Sequence, residues 1–232
     1  MRTRSLSTAA LAFMLAACSQ APELAPEPIR YMDPIERIDT HLVGFHPMKD
    51  DPHHAVEAHH YCSRLSDDFA QCVLFDGVGK DAKMNGIEYI ISERVFEMMP
   101  EEERKYWHPH NFEIMSGMLA MPGASDYDEY EAMRSLVNSY GKTWHVWQTG
   151  GTGEGLPLPY GEPMLAWSYN AKGEAPEELV RARDRRFGIS SERKSWIRED
   201  FARFLHCQEG VDALAEAFPH REPMAGVCEK AD

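Results

Sequence analysis

Residues 56 to 75 read VEAHHYCSRLSDDFAQCVLF, two runs of mixed apolar and polar positions flanking the polar turn Ser66-Asp67-Asp68. Short runs on either side of a polar turn predict a β-hairpin. Antiparallel pairing across it, with Leu65 and Phe69 at the turn, sets Cys62 opposite Cys72. Residues Gly86 to Ile91 are rich in β-branched types and predict a further strand, with Ser92 as the cap of a short helix that ends before Pro100. Glu101, Glu102 and Glu103 after that proline suit a second helix start. Tyr130, Met133, Val137 and Tyr140 recur at spacings of three and four, which predicts a helix from about Ser125 to a stop at Gly141. KTWHVWQT (142 to 149) and MLAWSY (164 to 169) read as strands around the turn-rich loop GGTGEGLPLPYGEP. Two C-terminal helices follow. One opens at Pro176-Glu177-Glu178 and closes at Gly188; the other starts after Ser190-Ser191 with Trp196, Ile197, Phe201, Phe204 and Leu205 as its apolar stripe. No internal repeat is visible. The pattern predicts a single α+β domain over residues 39–232, a small antiparallel sheet built on hairpins and packed with several helices, the segment 196–232 being a helical extension.

The first eighteen residues, MRTRSLSTAALAFMLAAC, have a different character. Arg2 and Arg4, an apolar run from Leu6 to Ala16 and small residues before a cysteine form the layout of a secretory signal. The apolar run is too short to span a bilayer at ~20 residues. Leu15-Ala16-Ala17-Cys18 resembles the bacterial lipobox, which implies cleavage before Cys18 and a diacylglycerol on its thiol; the competing reading is an ordinary signal that ends near a cysteine. Ser19 in place of aspartate favours the outer membrane, with the protein facing the periplasm. Residues 19–38 begin with alternating proline, alanine and glutamate and read as a tether. Removing residues 1–18 takes away two arginines and no acid, moving the formal charge from −14 to −16. Such a chain is a poor partner for nucleic acid, and its contact with a membrane must come from acyl chains rather than from attraction to anionic lipid.

An oxidising compartment also bears on the four remaining cysteines. Cys62 with Cys72 and Cys207 with Cys228 is the simplest of three connectivities, against the alternative of free buried thiols. The histidines are the other chemical signal. His108 and His110 flank Pro109, which favours an extended conformation at His108 and aims both imidazoles at one face. His59 and His60 point to opposite faces of their strand, and His60 shares its side with Cys62. His145 lies between two tryptophans, and Glu88 interrupts an apolar strand, where a buried carboxylate requires a cation, a metal or a proton. One of His59 and His60 with His108, His110 and His145, and Glu88 or Glu113 nearby, makes a candidate site for one Zn, Fe or Cu ion. The plainer reading is a set of core histidines bonded to carboxylates and backbone. His53-His54 reads as exposed loop. No Gly-x-Ser-x-Gly elbow occurs, and Gly150 to Gly155 lacks the Lys-Ser/Thr ending of a phosphate loop.

The blocks VEAHHYCSRLSDDFAQCVLFD, NGIEYIISERVFEMMPEEERKYWHPHNFEIMSGML, YGKTWHVWQ, LPLPYGEPML and RRFGIS occur in an order that resembles the oil body-associated protein family, over roughly residues 40 to 195. The resemblance places the family's His-His pair on His59 and His60, its Trp-His-x-His block on Trp107, His108 and His110, and its Gly-Lys-x-Trp segment on Gly141, Lys142 and Trp144. It implies association with seed oil bodies in the plant members and names no catalytic residue. The lipoprotein signal and the cysteine-bearing C-terminal extension are departures. The expected function is a lipid-anchored envelope protein with a lipid-related or envelope-protein partner. The alternative is a metal-dependent hydrolase or oxygenase built on the histidines.

Overall fold

The computed structural model describes residues 33–231. The expected signal, Cys18 and the tether up to residue 32 lie outside the described residues. The described chain opens with a short helix, α1 (Asp33–Glu36), where the last part of the expected tether lay.

The sheet is antiparallel and starts with β1 (Thr40–Met48), β2 (Asp51–Ser66), β3 (Phe69–Phe75) and β4 (Met84–Ile91), each joined to the next as a hairpin. Two short helices, α2 (Glu93–Glu97) and α3 (Glu101–Arg104), then lead to the two-residue β5 (His108–Pro109) and to α4 (Asn111–Met115). The helix α5 (Asp126–Leu136) precedes β6 (Tyr140–His145), and β7 (Met164–Leu165) pairs with β6. The strand order is β1-β2-β3-β4-β6-β5. The strip after Pro163 closes the curl. Ala166 donates to the Thr143 carbonyl in β6 (3.0 Å), while Lys49 N–H reaches Leu165 (2.9 Å) and Trp167 N–H reaches Pro47 (2.8 Å) at the end of β1. Two last helices, α6 (Glu177–Phe187) and α7 (Ser191–Ile197), follow. The α+β class and single domain match the sequence pattern.

Register decides what the inner face holds. Cys62 pairs with Cys72, Cys72 with Glu88, and Glu88 with Thr143; one step along, His60 pairs with Leu42 and Leu74, and Gly86 with His145. Alternation therefore puts Leu42, His60, Cys62, Leu74, Glu88 and His145 on one face. The helices α4 and α5 and the side chain of Phe201 cover it, with Ile114, Met115, Met133 and Val137 packed on Leu42, Leu74 and Ile90. Both expected disulfides are present, Cys62–Cys72 across the hairpin and Cys207–Cys228 in the C-terminal segment.

Several elements differ from the sequence pattern. The hairpin turn contains two residues, because a register shift between Arg64 and Ser66 extends β2 to Ser66. His53 and His54 lie in β2 rather than in a loop; the Thr152 hydroxyl ties the start of that strand, accepting from Ala55 N–H (2.8 Å) and donating to the His53 carbonyl (2.7 Å). The strand β1 was not predicted, since residues Leu42 to Met48 are all buried and the two-residue period disappears when both faces are covered. α5 ends at Leu136, and Gly141 lies inside β6 rather than capping the helix. Strand β6 stops at His145, short of the expected residue 149. Trp196 is 65% exposed, and the chain beyond Ile197 forms 3-10 turns at Glu199–Arg203 and Ala215–Ala217 instead of an amphipathic helix.

Candidate functional site

The inner face carries its polar residues as one group. Glu88, in the middle of β4, is 2% exposed, and its two carboxylate oxygens face different partners. Oε2 lies 2.8 Å from His60 Nε2 on β2 and 3.5 Å from His46 Nε2 on β1, and those two imidazole nitrogens are 3.3 Å apart. Oε1 lies 3.3 Å from His110 Nε2 and 3.9 Å from His108 Nε2. The ligand atoms of His46, His60 and Glu88, and those of Glu88, His108 and His110, each fall within 4.8 Å of one another. Strand pairing and a helix start produce this convergence. His108 pairs with Gly141 in the sheet, while His110 is the residue before α4 and has helical backbone angles. The two rings thus meet across a strand-to-helix junction, not along one extended strand.

Surrounding bonds fix some protons. The Ser139 hydroxyl donates to the Leu136 carbonyl at 2.7 Å, so it can only accept from His110 Nδ1 at 2.8 Å. The His110 proton on Nδ1 is thereby committed to Ser139, and Nε2 is the ring nitrogen turned toward the carboxylate. His46 Nδ1 is 3.0 Å from His145 Nε2, which places His145 behind His46 rather than beside Glu88. His108 is fully buried, and neither of its ring nitrogens has a hydrogen-bond partner among the described residues.

Burial also sets the charge states. It drives His108 down to about 3 and His145 to about 4, and pulls His46 well below the usual imidazole range. Burial alone would raise Glu88, but the neighbouring His60 holds it well below the carboxylate range. Glu113 on α4 moves the opposite way: burial, then the nearby Glu88 charge, push it well above that range. The two neighbouring carboxyl groups are thus shifted in opposite directions.

The candidate residues therefore separate. His60, Glu88, His108 and His110 converge, His145 stands behind them, and Glu113 is buried near Glu88 without contacting the imidazoles. His59 faces outward, with Nε2 2.9 Å from Glu57 and Nδ1 3.1 Å from His41. His46, Ser139 and the placement of Gly141 were missed by the sequence pattern. A Cβ built on Gly141 falls 2.5 Å from Glu88 Oε1 and 2.6 Å from Nε2 of both His108 and His110. The parity of His46 with Leu42 and Gly44 is a usable signal only once β1 is known to pair with β2.

The geometry does not favour the metal-dependent hydrolase or oxygenase. The imidazoles and Glu88 are each no more than 3% exposed, and five surface concavities take their linings from other residues, such as Lys49, Glu101 and Trp167. Among the described residues, none of these five concavities is lined by the group.

A curled antiparallel sheet, covered by helices and closed around four imidazoles and one carboxylate, defines an α+β protein with a polar centre rather than an open cleft. A family described as "Protein of unknown function (DUF1264)" matches residues 32–202. The chain is 37% identical to oil body-associated protein 1A of Zea mays over 195 residues, 84% of this chain and 79% of that one. It is 35% identical to oil body-associated protein 1B of Arabidopsis thaliana, over 73% of this chain and 69% of the relative. With oil body-associated protein 2A of Zea mays the identity is 34%, over 87% and 75% of the two chains. The chain belongs to the oil body-associated protein family. No solved structure matches it.

Proposed function

We propose that this protein binds a lipid surface, held at the bacterial outer membrane by an acylated Cys18 and facing the periplasm. The observation that carries the reading is the outer face of β2, β3 and β4. Tyr61, Val73, Phe75, Met84, Ile87 and Tyr89 form a concave surface with Pro34, Ile35 and Ile38 of the entering chain, and no charged residue lines it. Met84 is 55% exposed and Ile35 61%. In a chain with 27% charged residues, an uncharged apolar sheet face marks an interaction surface.

The face lies where the described chain begins, so a tether from Cys18 delivers it to the surface in which the acyl chains sit. The strongly acidic composition argues that apolar contact, not charge, holds it there. The names of the plant relatives give the same chemistry, association with an oil body. No helix among the described residues is long and apolar enough to cross a membrane.

The test is fractionation of the full chain beside Cys18→Ala and Ile35→Asp/Ile87→Asp. The expected result is loss of outer-membrane recovery in Cys18→Ala, and weaker flotation of the second variant with neutral phosphatidylcholine vesicles at unchanged melting temperature. Cofractionation of Cys18→Ala with the outer membrane at the original level sinks the anchor. Unchanged flotation of the double variant sinks the apolar face.

A further inference from the structure

We infer that Glu88, His108 and His110 bind one divalent transition-metal ion, Zn(II) or Fe(II) in kind, as a resident ion of the closed sheet rather than as a catalyst. The inference stands independently of the lipid-surface reading.

The two sides of Glu88 differ in what they need. Oε2 has a hydrogen bond of ordinary length to His60 Nε2, so a single proton satisfies that side. Oε1 faces His110 Nε2 at 3.3 Å, while the ring's Nδ1 proton is committed to the Ser139 hydroxyl. Two such atoms turned toward each other in a dry interior require a proton or a metal ion between them. His108 completes the set. It is 0% exposed, and both ring nitrogens are without partners among the described residues, so each is a buried polar atom left unsatisfied. Coordination through Nε2 satisfies one of them.

Position agrees with chemistry. The point at which a Cβ of residue 141 would fall is almost equidistant from the three donor atoms, at 2.5, 2.6 and 2.6 Å. That point is a bond length from the Gly141 Cα, so the ion would sit beyond it, between the three donors, at the ~2.0–2.2 Å that zinc takes. Only glycine keeps it free of side chain. Two imidazoles and a carboxylate suit a borderline ion rather than calcium or magnesium, which prefer oxygen. The other contacts behave as supports. His60 orients the carboxylate from its far side, and Ser139 holds the His110 ring, the usual arrangement behind a metal-bound histidine. The ion would tie β4 to β5 and the start of α4; β4 has a long ladder to β6, whereas β5 is paired with β6 through two residues.

The full chain, produced without a histidine tag and stripped with chelator, is titrated with Co(II) and followed by visible d–d absorption. Metal content is measured by mass spectrometry after gel filtration, and Zn(II) is added in competition. The expected result is saturation at one equivalent, displacement by Zn(II), and a loss of at least tenfold in affinity for His108→Ala. His59→Ala, on the outer face, should bind as the parent does. Absence of saturable Co(II) absorption in the parent overturns the inference, and so does equal binding by His108→Ala. If His108→Ala is unfolded by circular dichroism, Ser139→Ala replaces it, with an expected ten- to hundredfold loss; parent-like affinity there counts against the site. A fall in parent melting temperature on chelation supports it through linkage.

Discussion

Gly141→Ala isolates the crowding at the centre of the sheet, because the glycine is there for room and not for backbone freedom. Its φ lies outside the left-handed region, so alanine fits the backbone without strain. The added methyl instead meets Glu88 Oε1 at 2.5 Å and the His108 and His110 Nε2 atoms at 2.6 Å. Ordinary contact begins near 3.4 Å, so each partner must retreat by 0.8 to 0.9 Å. These are side-chain ends, but they belong to three buried residues that already press on one another. Overpacking of this kind costs about 1–3 kcal/mol. At about 2–4 °C per kcal/mol for a domain of this size, the melting temperature should fall by roughly 2–12 °C. Gly188→Ala gives the opposite control: its Cβ meets nothing within 4 Å, but its φ of 63° is left-handed. That substitution costs about 1–2 kcal/mol through the backbone alone. The two are distinguished by calorimetry on a double-mutant cycle with His110→Ala. Shortening His110 should relieve Gly141→Ala with a coupling of about 0.5–3 kcal/mol and leave Gly188→Ala additive. A melting temperature within 1 °C of the parent for Gly141→Ala, or additivity with His110→Ala, would refute the steric reasoning.

Glu129 on α5 accepts from Lys194 and, at 2.6 Å, from Arg198, a guanidinium that also donates to the Ile114 and Leu119 carbonyls and whose burial lowers it to about 10. Glu129→Ala leaves those cations uncompensated and should lower unfolding free energy by about 3–5 kcal/mol in urea; a loss under 1 kcal/mol would mean that water reaches the pair. Cys207 and Cys228 are 21 residues apart, so Cys207→Ser/Cys228→Ser should cost roughly 3 kcal/mol through loop entropy, read from urea midpoints with the slope checked. Midpoints that coincide with the parent's would exclude a stabilising role for the staple. Ile87→Asp, on the outer face and 41% exposed, should change stability by less than about 0.5 kcal/mol while its neighbour Glu88→Ala destabilises strongly, as thermal melts of the pair would reveal.

The legible parts of this fold are those in which one local rule dominates. Ser92, Ser125 and Ser190 each cap a helix by accepting a backbone N–H, and Gly188 ends α6 in the left-handed conformation. The Cys62–Cys72 pairing follows from hairpin register. The site was legible only in part, since it depends on which strands are neighbours. His60 and Glu88 carry their own signals, a histidine beside apolar positions and an acid inside an apolar run. His46 carries none, because β1 is buried on both faces and its pattern resembles any apolar run. Gly141 gave the wrong signal for a physical reason: a glycine four residues after an amphipathic run looks like a helix stop, and nothing local says that side chains from β4, β5 and the start of α4 need its missing methyl.

The same period-two rule then accounts for how one small sheet can carry two unrelated demands. Ile87 and Glu88 are adjacent in sequence, yet one belongs to an uncharged outer face and the other to an ionised interior. The three central strands supply both faces: β2 gives His60 and Tyr61, β3 gives Cys72 and Val73, β4 gives Glu88 and Ile87. A one-residue slip in register would exchange the two sets, burying Tyr61 and Ile87 and exposing the histidines and the carboxylate. The disulfide between Cys62 and Cys72 fixes β2 against β3 two residues from His60 and directly beside Glu88, at the position where such a slip would do most damage. Its value to this fold lies as much in holding the faces apart as in the entropy of the short loop it closes.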